Sequence, residues 1–235
     1  KLGWALRAQR CYGLRDFKLK AGMPGWELCL EQAARLLRRG IERGSVTLRV
    51  DANGAWTAEQ ALEALPLLDA CDVCAVEQPL PPAQDARLAE LSARGFPDII
   101  ADESLVSLAD VDRLLELGVR VFNVRIAKVG GLMPALRMAQ RALAAGADVQ
   151  LGCLVGETSL LSAAGVEFAT ACPRLRFVEG AFGRWLLRGD GTRRPVQFGH
   201  GGRVRRPAGF GLGVVVHEDL VRRWSAEGGR ALALG

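Results

Sequence analysis

Short apolar runs recur along this chain at a nearly constant spacing. They span residues 16–20, 46–50, 73–76, 98–101, 121–126, 148–152 and 175–178, and from residue 51 onward their ends are 23 to 28 residues apart. The stretches between them are rich in Ala and Leu, and they span residues 26–39, 57–68, 83–93, 108–117, 133–145 and 159–170. Because period and length distinguish short strands from longer helices, the pattern predicts a repeated strand–helix unit.

The repeat indicates a parallel sheet, since strands joined by single crossover helices run in the same direction. The strands read as nearly fully apolar, which is typical of a sheet that helices cover on its outer side. A TIM-like (β/α) barrel is therefore the predicted fold of this α/β chain, whose 235 residues come close to the usual barrel size of about 250. The alternative is an open doubly wound sheet, but no glycine-rich phosphate turn follows an early strand.

The predicted organisation is a barrel over residues 1–183 and a C-terminal tail over residues 184–235. Residues 2–6 lie too close to the strand at residue 16 to leave room for a helical crossover, so only seven strands are clear. The first strand–helix unit is therefore expected to be incomplete. The arginine-rich stretch at 184–206 and the glycine-rich run at 209–213 are predicted to be loops.

Charge and composition exclude several classes of function. The formal charge is +5, but the arginines are spread over several helical faces and are not interleaved with aromatic residues, so nucleic-acid binding is not expected. No run approaches ~20 apolar residues and the N-terminus lacks a signal-peptide layout, which predicts a cytoplasmic protein without membrane contact. The six cysteines, including the Cys71 and Cys74 pair, are predicted to be free structural thiols.

Three carboxylates follow directly after three of the predicted strands. Asp51 ends Leu-Arg-Val-Asp, Glu77 ends Ala-Val-Glu, and Asp102 ends Ile-Ile-Ala-Asp. In a barrel the carboxyl ends of the strands converge on one mouth, where like charges repel unless a cation neutralises them. An all-oxygen donor set suits Mg²⁺ better than zinc. Each acid could instead cap the following helix. Three acids at the same position, directly after the end of a strand, favour a metal site.

Two lysines stand two residues apart on the first clear strand. Lys18 and Lys20 therefore point to the same side, and ammonium groups facing a barrel interior are costly unless they serve a function. Crowding lowers the pKa of a lysine, which would allow one of them to act as a general base. The alternative is a pair that faces solvent.

The motifs at these positions resemble the enolase superfamily, in its mandelate racemase/muconate lactonizing branch and muconate-lactonizing subgroup. The segments that carry the resemblance are Asp51-Ala52-Asn53-Gly54-Ala55-Trp56, Val76-Glu77-Gln78-Pro79-Leu80, Ala101-Asp102-Glu103-Ser104 and Lys128-Val129-Gly130-Gly131-Leu132. The likeness runs from the Lys-x-Lys strand to the tail. It implies an N-terminal α+β capping domain that is absent or largely missing from this chain, so a longer protein is expected, with the tail packing toward the capping region.

The resemblance also implies a half-reaction and its residues. Mg²⁺, or Mn²⁺ in its place, would be held by the three carboxylates while Lys20 removes the proton α to a substrate carboxylate and an enediolate forms, with Lys18 as its electrostatic neighbour. The partner is expected to be a small carboxylate, and the assembly a homo-oligomer. Both histidines, His200 and His217, lie in the tail, so a histidine base on a late strand is absent. The implied substrate-binding residues are Asn53, Lys128, Glu157 and Glu179.

Two departures from the family pattern bear on the reaction. Arg125 stands where the family's second catalytic lysine would fall, and arginine is a poor proton acceptor, so it is expected to act as a fixed cation. Lys128 lies three residues on, and strand alternation places it on the other side or in the loop. Phe177-Val178-Glu179 has one acid where dipeptide epimerases carry Asp-x-Asp. Glu157 matches a family acid near the pocket, with a plain helix-terminal glutamate as the alternative.

The predicted function is accordingly a Mg²⁺-dependent lyase or isomerase of the muconate cycloisomerase or o-succinylbenzoate synthase kind. One alternative is an amino-acid or dipeptide racemase or epimerase. The other is a non-catalytic metal-binding barrel that has lost its second base.

Overall fold

The sheet is the centre of the molecule. The computed structural model describes residues 1–95 and 97–228, and within them seven parallel strands pair in chain order. They are β1 (Asp16–Lys20), β2 (Thr47–Asp51), β3 (Ala75–Glu77), β4 (Asp98–Ala101), β5 (Val121–Arg125), β6 (Asp148–Gly152) and β7 (Phe177–Val178). Every predicted strand is present, which confirms the parallel strand–helix repeat.

The helices connect and cover these strands. They are α1 (Leu2–Cys11), α2 (Trp26–Glu42), α3 (Ala58–Ala70), α4 (Leu88–Ser92), α5 (Leu108–Glu116), α6 (Leu132–Ala144), α7 (Ser159–Ala171), α8 (Gly183–Leu186) and α9 (Glu218–Gly228). Local sequence explains several starts: Thr57 and Gln60 form a capping box on α3, and Ser107 and Asp110 form one on α5. None of the described helices is long and apolar enough to cross a membrane.

Two segments differ from the sequence prediction. The single helix predicted over residues 83–93 is a 3-10 turn, Pro82–Arg87, followed by the short α4. Asp85 in that turn is 4% exposed and accepts a hydrogen bond from Ser104, so a tertiary contact holds the tighter geometry. The N-terminal segment that was too short for a strand and a crossover is the helix α1, which buries Leu6.

The sheet curls so that distant strands face each other across its interior. Arg49 on β2 donates to Gln150 on β6, and Lys18 on β1 lies 2.6 Å from the carboxylate of Glu179, which follows β7. No backbone pairing joins β1 to β7 among the described strands, so the barrel-like ring is bridged at that point by the side chains of Lys18 and Glu179.

The interior has an apolar layer and a polar layer. Ala75, Ile100, Val121 and Phe177 form a separate buried cluster inside the ring. Toward the carboxyl ends of the strands, the positions two residues on carry polar groups instead, Glu77 and Asn123 among them. The description of the strands as nearly fully apolar was therefore wrong for the inward positions near their carboxyl ends, where polar side chains follow the apolar layer.

The tail packs back over the last strands and α1. Thr192 and Val216 form an isolated antiparallel bridge, and α9 follows it. Tyr12 at the end of α1 donates its hydroxyl to the carbonyl of Phe198, 3.1 Å away. Between α8 and α9 the tail is mostly irregular, as the arginine- and glycine-rich composition predicted.

Candidate active site

The three carboxylates lie at the mouth of the ring, as expected from their places after the strands. Asp51 and Glu77 are partners in the β2–β3 ladder, and Asp102 follows β4 two residues beyond the partner of Glu77. Their exposed fractions are 1%, 1% and 2%. Carboxylates so deeply buried need a compensating positive charge, because burial removes their hydration and an unpaired carboxylate gains no interaction that offsets this loss.

The first compensation comes from the lysines of β1. Lys18 Nζ lies 2.9 and 3.0 Å from the two carboxylate oxygens of Glu77 and 3.6 Å from Asp51 Oδ2. Burial alone would lower the pKa of Lys18, but the neighbouring Glu77 and Glu179 outweigh it and the pKa is raised. Lys20 Nζ lies 2.6 Å from Asp51 Oδ2, and its side chain is 59% exposed at the mouth.

Asp102 is compensated from β5 and the loop that follows it. Arg125 makes a bidentate ion pair with it. Its Nε lies 2.9 Å from Asp102 Oδ1 and its Nη2 lies 2.6 Å from Oδ2, the geometry that suits a guanidinium and a carboxylate. Burial would lower the pKa of Arg125, but Asp102 outweighs that effect and raises it. The guanidinium is therefore held as a cation against Asp102, and its role in a reaction stays a prediction.

Lys128 lies in the loop after β5, one of its two expected places, and from there it reaches Asp102. Its Nζ lies 2.5 Å from Asp102 Oδ1, and burial lowers the pKa of this lysine. The reason is a tight turn after β5, in which Val129 N–H bonds back to the Arg125 carbonyl. Gly130 and Gly131 follow with φ of 88° and 114°, angles that side chains disfavour. The turn carries the ammonium group back over the strand ends.

The floor of the site consists of residues that the sequence reasoning missed. Arg49 is 3% exposed, donates to Gln150, and lies 4.0 Å over the ring of Phe177. Gln150 donates to Glu77 at 3.0 Å and to Glu179 at 3.3 Å. The sequence did contain a clue to them. Arg49 and Gln150 are polar residues inside otherwise apolar runs, and because side chains of a strand alternate between its two faces, each could have been assigned to the inner face of the sheet.

Asn123 completes the hydrogen bonds to Glu77. Its amide nitrogen donates to Glu77 Oε1 at 3.0 Å, while its own Oδ1 is buried without a partner. Glu77 therefore accepts from a lysine and two amides, and its position is fixed by three strands at once.

Gln78 clamps two strand ends together behind the carboxylates. Its Oε1 accepts from the backbone of Asp102 and Ser104 at 3.0 and 3.1 Å, and its Nε2 donates to Ser104 Oγ at 2.7 Å. Its φ of 37° is a conformation that non-glycine residues rarely adopt. Such strain persists only where surrounding contacts hold it, and here they fix the backbone that carries Asp102.

Asn53 and Glu179, two of the predicted substrate contacts, lie in the same site. Asn53 Oδ1 accepts from Lys20 at 2.6 Å, and its backbone N–H donates to Asp51 at 3.0 Å. Glu179 is engaged by Lys18 at 2.6 Å.

Glu157 stands apart from the three carboxylates. It accepts from Leu154 N–H and from Ser162 Oγ, each at 3.3 Å, and burial raises its pKa. It lines the cleft of the three carboxylates together with Arg125, Cys153 and Glu179. The structure thus brings it to the rim of the site without a contact to the metal-ligand candidates.

The donor set fits Mg²⁺ in type, since it offers carboxylate oxygens on neighbouring strand ends. Within residues 1–95 and 97–228, however, no three His, Cys, Asp or Glu side chains converge closely enough to hold an ion. Lys18 lies between Asp51 and Glu77 and contacts both carboxylates. An ion at this place would have to replace ammonium contacts, and the magnesium site stays a prediction.

Comparison with known proteins gives the same family over almost the whole chain. Residues 3–220 match the family described as enolase C-terminal domain-like. The chain is 31% identical over 213 residues to a chloromuconate cycloisomerase of Pseudomonas putida, covering 90% of this chain and 56% of that protein. It is 32% identical over 183 residues to an L-Ala-D/L-amino acid epimerase of Maribacter sp. (strain HTCC2170 / KCCM 42371), covering 78% of this chain and 52% of the epimerase.

Solved structures of related proteins have the same fold. The muconate lactonizing enzyme from Pseudomonas putida superposes with a TM-score of 0.81 at 29% identity, over 94% of this chain and 61% of the enzyme. A dipeptide epimerase from Cytophaga hutchinsonii, crystallised with Mg and D-Ala-L-Val, shares the fold with a TM-score of 0.80 at 24% identity, over 94% of this chain and 59% of that one. The chain spans a little over half the length of the curated relatives it matches.

Proposed function

Because the chain belongs to the enolase superfamily, we propose that it is the catalytic barrel of a Mg²⁺-dependent enzyme that removes the proton α to a substrate carboxylate. The observation that carries the proposal is the set of three carboxylates, each at most 2% exposed, at one mouth beside an accessible lysine. When bound, Mg²⁺ supplies positive charge for the substrate carboxylate and for the enediolate that forms.

Lys20 is the proposed base. Its Nζ is held at 2.6 Å by both Asp51 and Asn53, yet more than half of its side chain faces the open mouth. A substrate that enters from the mouth therefore meets the nitrogen before it meets the buried acids. In its neutral amine form Nζ takes the proton from the α-carbon; in a dehydration the proton passes on to the departing hydroxide, which leaves as water, and in the opening of a lactone it passes to solvent as the carboxylate leaves.

Lys18 and Arg125 provide fixed positive charge on either side of the carboxylates. Lys18 is held by Glu77 and Glu179, and Arg125 by Asp102. Neither needs to exchange a proton: charge placed in advance stabilises the negative charge that develops as the α-proton leaves. With an arginine at position 125, a single lysine is proposed to handle the proton, which favours cycloisomerisation or dehydration.

Two further functions rest on particular observations. Epimerisation of an amino acid or dipeptide is favoured by the 32% identity to an L-Ala-D/L-amino acid epimerase, and Glu157 or Glu179 would then receive the ammonium group. A non-catalytic metal-binding barrel is favoured by Arg125, which stands in place of a second base and is paired with Asp102.

The test is exchange of the α-proton with deuterium oxide, followed by NMR with muconolactone and an L-Ala dipeptide as probes in the presence of Mg²⁺. We expect exchange with one probe and its loss, by at least about a hundredfold, in Lys20→Ala. Lys1→Ala, a lysine substitution away from the site, should exchange as the parent does. A racemised product would select the epimerase, and Mg²⁺ binding without exchange of either probe, even after Arg125→Lys, would select the non-catalytic metal-binding barrel.

A further inference from the structure

A second, smaller cavity lies beside the mouth. It has a volume of about 290 Å³, is partly open, and is bounded by β6, β7, helix α7 and the tail. Most of its wall is apolar, formed by Leu151, Leu161, Val166, Val178, Phe198 and Val204. Leu151 and Val178 line it from β6 and β7, whereas Arg125 and Glu179 at the strand ends form its border with the site that holds the carboxylates.

The tail covers this cavity because it forms hydrogen bonds with α7 at two places along the helix. At the start of the helix, Asp190 accepts from Ser159 N–H at 3.0 Å and from its hydroxyl at 2.6 Å. Farther along, Arg206 pairs with Glu167 through two bonds of 2.8 and 2.6 Å. Between these points the ring of Phe198 packs over Gly180, where a Cβ would lie only 3.2 Å from the ring.

The cavity adjoins the active-site cleft. Arg125, Cys153, Glu157 and Glu179 line both the cavity and the larger cleft, which has a volume of about 2150 Å³ and also contains the three carboxylates. A molecule held at the carboxylates can therefore extend past Arg125 into the apolar space.

The cavity wall suits an apolar occupant. The polar and charged side chains of its lining each have a partner within the protein already; they are Arg125, Glu157, Ser162, Thr170, Glu179 and Arg206. Water needs several polar partners to occupy such a place, whereas a dry apolar cavity of ~150 Å³ holds a benzene-sized molecule. A volume of 290 Å³ has room for a phenyl or branched alkyl group and its linking atoms.

We infer that this cavity binds an apolar substituent of the substrate, which makes the substrate class a carboxylic acid bearing a phenyl-sized or branched alkyl group. The inference rests on the proposed function for the position of the carboxylate. The reacting end lies at the buried acids, and the substituent passes Arg125 and Cys153 into the space under the tail.

The experiment fills the cavity and compares an apolar probe with matched carboxylates. Ala169 on α7 lines the cavity, whereas Ala171, two residues on, is exposed and does not. Binding of toluene is followed by NMR, and binding of acetate and phenylacetate by calorimetry with Mg²⁺ present, in the parent chain, Ala169→Leu and the control Ala171→Leu. Val204→Phe fills the same space from the tail, in case the helix variant does not fold.

We expect the parent to bind toluene, and to bind phenylacetate at least about tenfold more tightly than acetate, as burial of a phenyl group predicts. Ala169→Leu and Val204→Phe should weaken both aromatic probes about tenfold or more while acetate binding is unchanged. Ala171→Leu should match the parent. Equal binding by the filled and control variants, or no toluene binding by the parent, would overturn the inference.

Failure of the proposed reaction has a different outcome. If toluene and phenylacetate binding depend on position 169 but no probe exchanges its α-proton, the cavity is real and the reaction is wrong. If α-proton exchange occurs and is indifferent to Ala169→Leu for phenyl-bearing acids, the reaction stands and the cavity has no part in it.

Discussion

Asp102 shows at the scale of single residues how the site tolerates buried acids. It is 2% exposed, and it is engaged by Arg125 and by Lys128. A buried carboxylate left without such partners would cost several kcal/mol, which explains why each acid at the mouth has a protein cation against it. The same pairing means that a divalent ion must compete with lysine side chains.

Cys153 offers a prediction about chemical reactivity. Burial is the main cause that raises the pKa of its thiol to about 12, and Glu157 and Glu179 add to the effect. The thiol therefore stays protonated until the pH approaches that value, and roughly 10⁻⁴ of it is thiolate at pH 8. We expect iodoacetamide at pH 8 to leave Cys153 unmodified in the folded protein, as measured by mass spectrometry of its peptides.

The exposed thiols of Cys11 and Cys29 serve as internal controls for this labelling. They should be alkylated in the same sample, and unfolding in urea should bring Cys153 to their rate. Labelling of folded Cys153 within about tenfold of Cys29 would contradict the expected protonation state.

At the scale of elements, two glycines on packed neighbours should respond in opposite ways to the same substitution. A Cβ at Gly152 on β6 would lie 2.1 Å from Asn123 Oδ1 and 2.8 Å from Arg125 Cγ. We expect Gly152→Ala to displace these β5 side chains and to lower the free energy of unfolding by about 1–3 kcal/mol, the usual cost of overpacking. Urea denaturation measures this.

Gly165 on α7 is the matched control, because its Cβ would meet only Leu151 Cδ2, at 3.7 Å. An alanine inside a helix is favoured over glycine by about 0.5–1 kcal/mol, so Gly165→Ala should raise the free energy of unfolding. Equal effects of the two substitutions would show that the β5–β6 packing is looser than the structure indicates.

At the scale of the whole molecule, the metal prediction becomes a stability prediction. An ion that binds only the folded chain stabilises it by about 2.7 kcal/mol at a hundred times its dissociation constant. We therefore expect Mg²⁺ to raise the thermal midpoint, EDTA to reverse the rise, and Glu77→Gln to abolish it. The measurement is thermal unfolding followed by circular dichroism.

Glu90→Gln provides the control for the loss of one negative charge, since Glu90 is paired with Arg87 on the surface. Its midpoint should respond to Mg²⁺ as the parent's does. A parent chain whose midpoint does not respond to Mg²⁺ would mean that the lysines keep the acids, and it would contradict the metal site of both the enzyme and the non-catalytic metal-binding barrel.

Much of the fold was predictable because its causes are local. Alternation, helical periodicity and capping residues such as Thr57 act within a few positions, and they gave the strands and most helices within a few residues of their observed ends. The 3-10 turn after β3 was not predictable in this way. Its position depends on Asp85, which accepts a hydrogen bond from Ser104, a residue 19 positions farther along the chain.

The sequence by itself determined that strand ends carry three acids to one mouth, with two lysines beside them, since order along the chain sets order around a parallel sheet. Only the tertiary structure decided which cation meets which acid. Arg49 and Gln150 touch across 101 residues of chain, and Lys128 returns to Asp102 through a turn. These contacts depend on the curvature of the whole sheet, and that curvature cannot be predicted from the pattern of residues within any one strand or helix.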